Sequence, residues 1–206
     1  MKSLSEIETV SKRASKAAGY TWGEAEEVGK NIRLLEMFGF QGIKNLNGYL
    51  KKKKKSNYKI LKSIAKNNNL VNSQFCPIIA GISFLDQIRT LEEFKEIKIK
   101  NIAYPLLFLP FASRASEVLG KRLFLKFDDN EFLFNFNNNI YSNFLKNEVI
   151  EIGNNISIKF LDNLDSFHQD EWKELYKLSE ETFVEENENS KLTSAGAGLN
   201  DNDWLF

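Results

Sequence analysis

Two stretches of the chain hold side chains whose types and spacing could do chemistry. The first is Trp22-Gly23-Glu24-Ala25-Glu26-Glu27-Val28-Gly29. Its three carboxylates fall in the first two turns of an expected helix. Glu26 or Glu27, displayed beside Trp22, has the chemistry of an acid, a base or a cation ligand. The same carboxylates also complement the positive end of a helix, which is a purely structural duty. The second stretch runs from Glu188 to Asp203. Gly196 and Gly198 permit positive φ and close approach to a ligand or another chain. Asp201 and Asp203 suit a hard cation or a cationic or amide substrate, and Asn200 can donate and accept. This composition also suits a flexible chain end. Against that stands Trp204-Leu205-Phe206, whose large apolar surface would be exposed in a free tail.

Other single residues weigh less. Arg114 follows Phe111-Ala112-Ser113 in an apolar setting. If buried it needs a partner, which makes it an anion-site candidate. Cys76 precedes Pro77 and an apolar run, where a small buried hydrophobe is the ordinary role of cysteine. His168, the one histidine, reads as an exposed loop residue. Lys51 to Lys55 form a run of five lysines that reads as a solvated helix end rather than a phosphate patch, since no arginine or aromatic is interleaved. The Gly-Ala-Gly of the tail does not complete a dinucleotide fingerprint, and no Walker, GxSxG or HExxH motif occurs.

Composition narrows the class. The 206 residues include 28 basic and 28 acidic side chains, 42% hydrophobic residues and 27% charged ones. This is an ordinary globular balance. Zero net charge disfavours nucleic acid and anionic membrane as partners. One cysteine excludes an internal disulfide, and one histidine beside it gives no metal-ligand cluster. No cofactor is implied. No apolar run approaches the roughly 20 residues of a membrane span, and the N-terminus lacks an apolar signal core. The cytoplasm is the expected compartment.

The elements that must position these residues follow from caps and periodicity. Ser5 is expected to cap a first helix, with Ile7, Val10, Ala14, Ala17 and Ala18 as its buried face, ended by Gly19. Thr21 and Glu24 form a capping box for a second helix over Trp22 to Phe38, with Ala25, Val28, Ile32 and Leu35 inward. A third runs from about Ile43 to Lys55 with Leu46, Tyr49 and Leu50 inward, and a short one is expected within Asn57 to Asn69. Pro77 to Leu85 fits a buried helix or a buried strand equally. Leu91 to Glu96 looks helical, and a short strand follows around Ile97 to Ile102. Pro105 to Leu119 reads as an extended entry and a helix closed by Gly120. Arg122–Phe127 and Glu131–Phe136 flank a turn and form a hairpin. Tyr141 to Ile152 is ambiguous, Ile156 to Phe160 is a further strand, and Asp170 caps a last helix to about Phe183 with Trp172, Leu175, Tyr176 and Leu178 as its apolar stripe. The fold class is α+β: an N-terminal helical part, a small mostly antiparallel sheet, a C-terminal helix and an irregular Gly-rich tail. The expected organisation is one domain, helical over 1–96, mixed over 97–184, with a tail at 185–206.

Several segments together resemble a bacterial domain-of-unknown-function family of about this length. They are Leu4 to Glu8, Lys16 to Gly29, Cys76 to Gly81, Pro105 to Phe111 and Gly196 to Asp203. The resemblance implies a single domain and no particular reaction. Thr182-Phe183-Val184 and Glu188-x-Ser190 follow the family's pattern. Glu185 stands where proline is usual and Lys191 where arginine is usual, and the second change weakens a bidentate anion contact.

The expected function is a small cytosolic enzyme, or the subunit of one, acting on a small polar metabolite. Glu26 and Glu27 would do the acid–base work. Trp22, Arg114, Glu188, Ser190, Lys191, Gly196, Gly198, Asn200, Asp201 and Asp203 would bind substrate. The alternative is a non-catalytic accessory protein whose tail docks on a protein partner. The sequence leaves the oligomeric state open.

Overall fold

The computed structural model describes residues 2–136, 139–144 and 149–182. The chain divides into two compact units, Met1–Asn163 and Leu164–Phe206.

The first unit opens with three helices, α1 (Leu4–Ala17), α2 (Trp22–Met37) and α3 (Gly42–Lys53). The expected N-cap of α1, Ser5, is replaced by Ser3, whose Oγ accepts from Glu6 N at 3.1 Å. The capping box of α2 forms as expected: Thr21 Oγ1 accepts from Glu24 N and Glu24 Oε2 accepts from Thr21 N at 2.8 Å. Each such cap satisfies amides that the helix leaves without partners.

The buried face of α1 differs from the expected one. Val10 is 58% exposed, and Ala14 and Ala17 also face outward. Ser11 and Ser15 are buried instead. The reason lies in α2. A Cβ on Gly29 would stand 2.8 Å from Glu8 O and 3.2 Å from Lys12 Cβ. Two backbones that approach this closely admit only small side chains, and serine is small enough.

Between α3 and α4 (Pro77–Asp86) the chain is irregular except for a two-residue strand, β1 (Asn67–Asn68). The short helix expected over Asn57 to Asn69 does not form. Asn68 explains part of this. Its side chain accepts from Ala65 N and donates to Ala65 O and Lys98 O. An amide that bonds nearby backbone competes with helical hydrogen bonding.

The apolar run after Cys76 resolves as helix α4, with Pro77 in its first turn. A short α5 (Ile88–Leu91) and a 3-10 turn (Glu92–Phe94) lead to β2 (Glu96–Ala103). Then come a 3-10 turn (Pro105–Phe108), α6 (Leu109–Leu119), β3 (Arg122–Phe127), β4 (Asn130–Asn135), β5 (Asn139–Ser142) and β6 (Ile152–Leu161). Gly120 closes α6 at φ +63°.

The described strands form one sheet of six in the order β1-β2-β6-β3-β4-β5. Only β1 and β2 pair in parallel; the other neighbours are antiparallel. One face carries Ile97, Ile99, Leu123, Leu125, Phe127, Phe132, Phe134, Ile156 and Ile158, all buried. The other carries exposed lysines such as Lys98 and Lys126. This alternation is that of a half-solvated antiparallel sheet. α6 packs on β3 and β4, and α2 and α4 pack on α6. A Cβ on Gly81 of α4 would stand 2.1 to 2.5 Å from ring carbons of the buried Phe111 on α6. The α4–α6 contact therefore needs glycine at that position.

The described part of the second unit holds one helix, α7 (Gln169–Glu180). Its N-cap is His168, two residues before the expected Asp170, and the His168 N–H donates to Glu171 Oε2 at 2.7 Å. The architecture is α+β: N-terminal helices, a mixed and mostly antiparallel sheet, and a C-terminal helix.

Candidate functional site

Three segments distant in sequence bring proton-bearing groups to one point. Tyr20 follows the end of α1, Tyr49 lies in α3, and Cys76 is the N-cap of α4. The two phenol oxygens are 2.6 Å apart. Cys76 Sγ lies 3.0 Å from the Tyr49 oxygen and 3.4 Å from that of Tyr20. It also accepts from Ile79 N at 3.5 Å, in the first turn of α4. Tyr58 stacks on Tyr49 with centroids 5.2 Å apart, and Tyr104 meets Tyr49 edge-on at 5.8 Å.

This cluster forms part of the wall of a cleft of about 330 Å³. Glu24, Lys53, Ser56 and Asn57 also line it. Lys53 lies 4.3 Å over the Tyr20 ring and donates to Ala18 O. Lys52 pairs with Glu151. Two lysines of the run at the end of α3 are thus held by specific partners.

Burial, and then the neighbouring Cys76, pushes both Tyr20 and Tyr49 well above the ordinary phenol range. Loss of hydration disfavours the phenolate. Both groups stay protonated at neutral pH, and in the bond between them one donates and the other accepts.

The carboxylates singled out in the sequence sit further along α2, in a network of charges. Glu26 pairs with Lys30 at 3.1 Å and Lys12 at 3.2 Å. Hydrogen bonds from Lys30 and then Lys12 hold its carboxyl below the usual range. Glu27 pairs with Lys30 at 3.4 Å and with Arg114 of α6. The structure therefore joins Glu27 to Arg114 directly and turns Glu26 toward α1. Arg114 has the partner that its apolar setting called for. Trp22 is 59% exposed, with Lys16 5.4 Å over its ring. Glu188, Ser190, Lys191, Gly196, Gly198, Asn200, Asp201 and Asp203 lie outside the described residues.

The grouping of Tyr20, Tyr49 and Cys76 is absent from the sequence reading. One local signal was available: Cys76-Pro77 has the form of an N-cap followed by proline at the first helical position. Among the described residues, no group of three or more His, Cys, Asp or Glu is placed to hold a metal ion. No helix among them is long and apolar enough to cross a membrane.

The family described as a protein of unknown function, DUF3726, matches residues 2–73. That stretch contains Tyr20, the Thr21–Glu24 capping box, Glu27 and Tyr49, and stops short of Cys76 and Arg114. No curated protein and no solved structure matches the chain.

Proposed function

We propose that this protein binds a small polar metabolite in the cleft walled by Tyr20, Tyr49 and Cys76. The observation that carries this reading is the convergence of two phenols and the chain's one thiol, 2.6 to 3.4 Å apart, on a cleft wall. Lys53, Ser56 and Asn57 offer donors along the wall, which the mutually hydrogen-bonded phenols and thiol back from within. The arrangement favours binding over acid–base catalysis, because phenols raised by burial are weak acids whose phenolates are not populated at neutral pH, and Glu24 is committed to the α2 cap. The alternative of an accessory protein docking through its tail rests on residues 185–206, all of them outside the described residues.

The test combines thiol labelling with thermal melts. Iodoacetamide should alkylate Cys76 in the folded chain faster than global unfolding allows. Small carboxylic, amino and hydroxy acids are then screened for slowing that labelling. A ligand at a hundred times its Kd stabilises by about 2.7 kcal/mol. For a chain of this size that raises the melting temperature by roughly 5–10 °C. The rise should shrink in Tyr49→Phe. If Cys76 is labelled only at the unfolding rate and no compound in the screen moves the melt, the cleft is not a binding site.

A further inference from the structure

One buried polar group remains unexplained beside the Glu27–Arg114 pair. Asn31 lies one turn beyond Glu27 on α2 and is 1% exposed. Its Oδ1 accepts from Arg114 Nη1 at 3.4 Å. Its Nδ2 has no hydrogen-bond partner among the described residues. Reversing the amide would not help, since Nδ2 would then face the guanidinium donor to donor. An amide donor buried without an acceptor has given up its bonds to water and gained none in exchange. An acceptor that fits beside Arg114 would remove that penalty.

The surroundings indicate what the acceptor is. Both described bonds of the guanidinium are made by Nη1, to Glu27 and Asn31. A guanidinium offers five N–H donors in a planar fork that matches a carboxylate. The side chains of Arg114 and Glu27 are 23% and 24% exposed, so solvent reaches the guanidinium, whereas Asn31 Nδ2 is buried and a ligand oxygen reaches it only with a shift of the Arg114 side chain. Glu27 is already neutralised by Lys30 and Arg114.

We infer that Arg114 and Asn31 form a binding site for the carboxylate of a small organic anion, one oxygen on the guanidinium and the other on Asn31 Nδ2. This site is separate from the tyrosine–cysteine cleft and stands or falls independently of it.

The test uses the full chain labelled with nitrogen-15. The side-chain amide pair of Asn31 is assigned as the pair missing from Asn31→Ser. Sodium acetate is titrated against sodium chloride at equal ionic strength. The expected result is a saturable shift of the Asn31 amide protons with acetate and none with chloride. Arg114→Lys keeps the charge and loses the fork, so it should weaken acetate binding about tenfold, the factor set by roughly 1.4 kcal/mol. A linear drift with acetate, or the same response to chloride, overturns the proposal. So does an Asn31 amide that contacts a long-lived water and ignores acetate, since a buried water would then be its partner.

Discussion

At the scale of single residues, Tyr49 is the centre of the cleft wall. Its phenol bonds both the Tyr20 phenol and Cys76, whereas Tyr20 reaches Cys76 only at 3.4 Å. Tyr49→Phe should therefore cost about 1–2 kcal/mol, more than Tyr20→Phe, because it strands two partners instead of weakening them. Urea titration of the two variants measures the order, and a larger loss in Tyr20→Phe would show the hierarchy to be wrong. The same residues set an alkaline limit. Both phenols are raised in the folded chain, so their stabilising effect is complete below the unfolded value of about 10. It is lost as pH climbs from there toward the folded values, where the unfolded chain ionises first. Each phenol contributes a slope of about 1.4 kcal/mol per pH unit in that range. Stability measured between pH 9 and 11 should fall steeply in the wild type and less steeply in either Phe variant. Equal slopes would mean that the phenols titrate freely when folded.

At the scale of elements, two substitutions distinguish the observed packing from the pattern that periodicity suggests. Gly81→Ala places a methyl 2.1 to 2.5 Å from ring carbons of Phe111, which is fully buried. Overpacking of this kind costs about 1–3 kcal/mol or more. Val10→Asp should cost no more than about 0.5 kcal/mol, since Val10 faces outward. Melting both variants tests the packing: a large loss in Val10→Asp would return α1 to the orientation its apolar residues imply. The contrast also marks how far the sequence could be read. The Thr21 cap, the Gly120 stop and the hairpin of β3 and β4 were legible because turn and cap chemistry is local. The face of α1 was not, because it is set by Gly29 on another helix, and a close backbone approach outranks hydrophobicity. The region 57–69 was misread because asparagine side chains can replace the helical bonds that periodicity assumes. The tyrosine–cysteine cluster was illegible for a different reason. Its members stand 29 and 27 residues apart, and nothing local links them. Arg114 was half legible: its apolar setting called for a partner, but only the fold chose Glu27 and added Asn31.

At the scale of the whole molecule, the buried core formed by the described residues lies in the first unit. Its members run from Tyr20 to Ile158, with Phe160 packed against them, and the six described strands all end by Leu161. A chain of about 160 residues is long enough to bury roughly 70% of its extended surface. The cleft and the Arg114 cluster are likewise built from residues up to 114. The described part of the second unit holds α7, whose apolar stripe of Trp172, Leu175, Tyr176 and Leu178 is 49–62% exposed, with Phe167 stacked on Trp172. These placements predict that a chain ending at Asn163 folds on its own. It should unfold in one cooperative step, with the amides of β2, β3 and β6 as protected from hydrogen exchange as in the full chain, and with the same rate of Cys76 alkylation. Loss of cooperativity would mean that residues after 163 supply folding free energy that the first unit lacks. Retained protection with altered alkylation would be more informative: the fold would be self-sufficient, and the later residues would govern access to the cleft. That result would give the residues after 163 a role in binding, whereas unchanged alkylation would confine binding in the cleft to the first 163 residues.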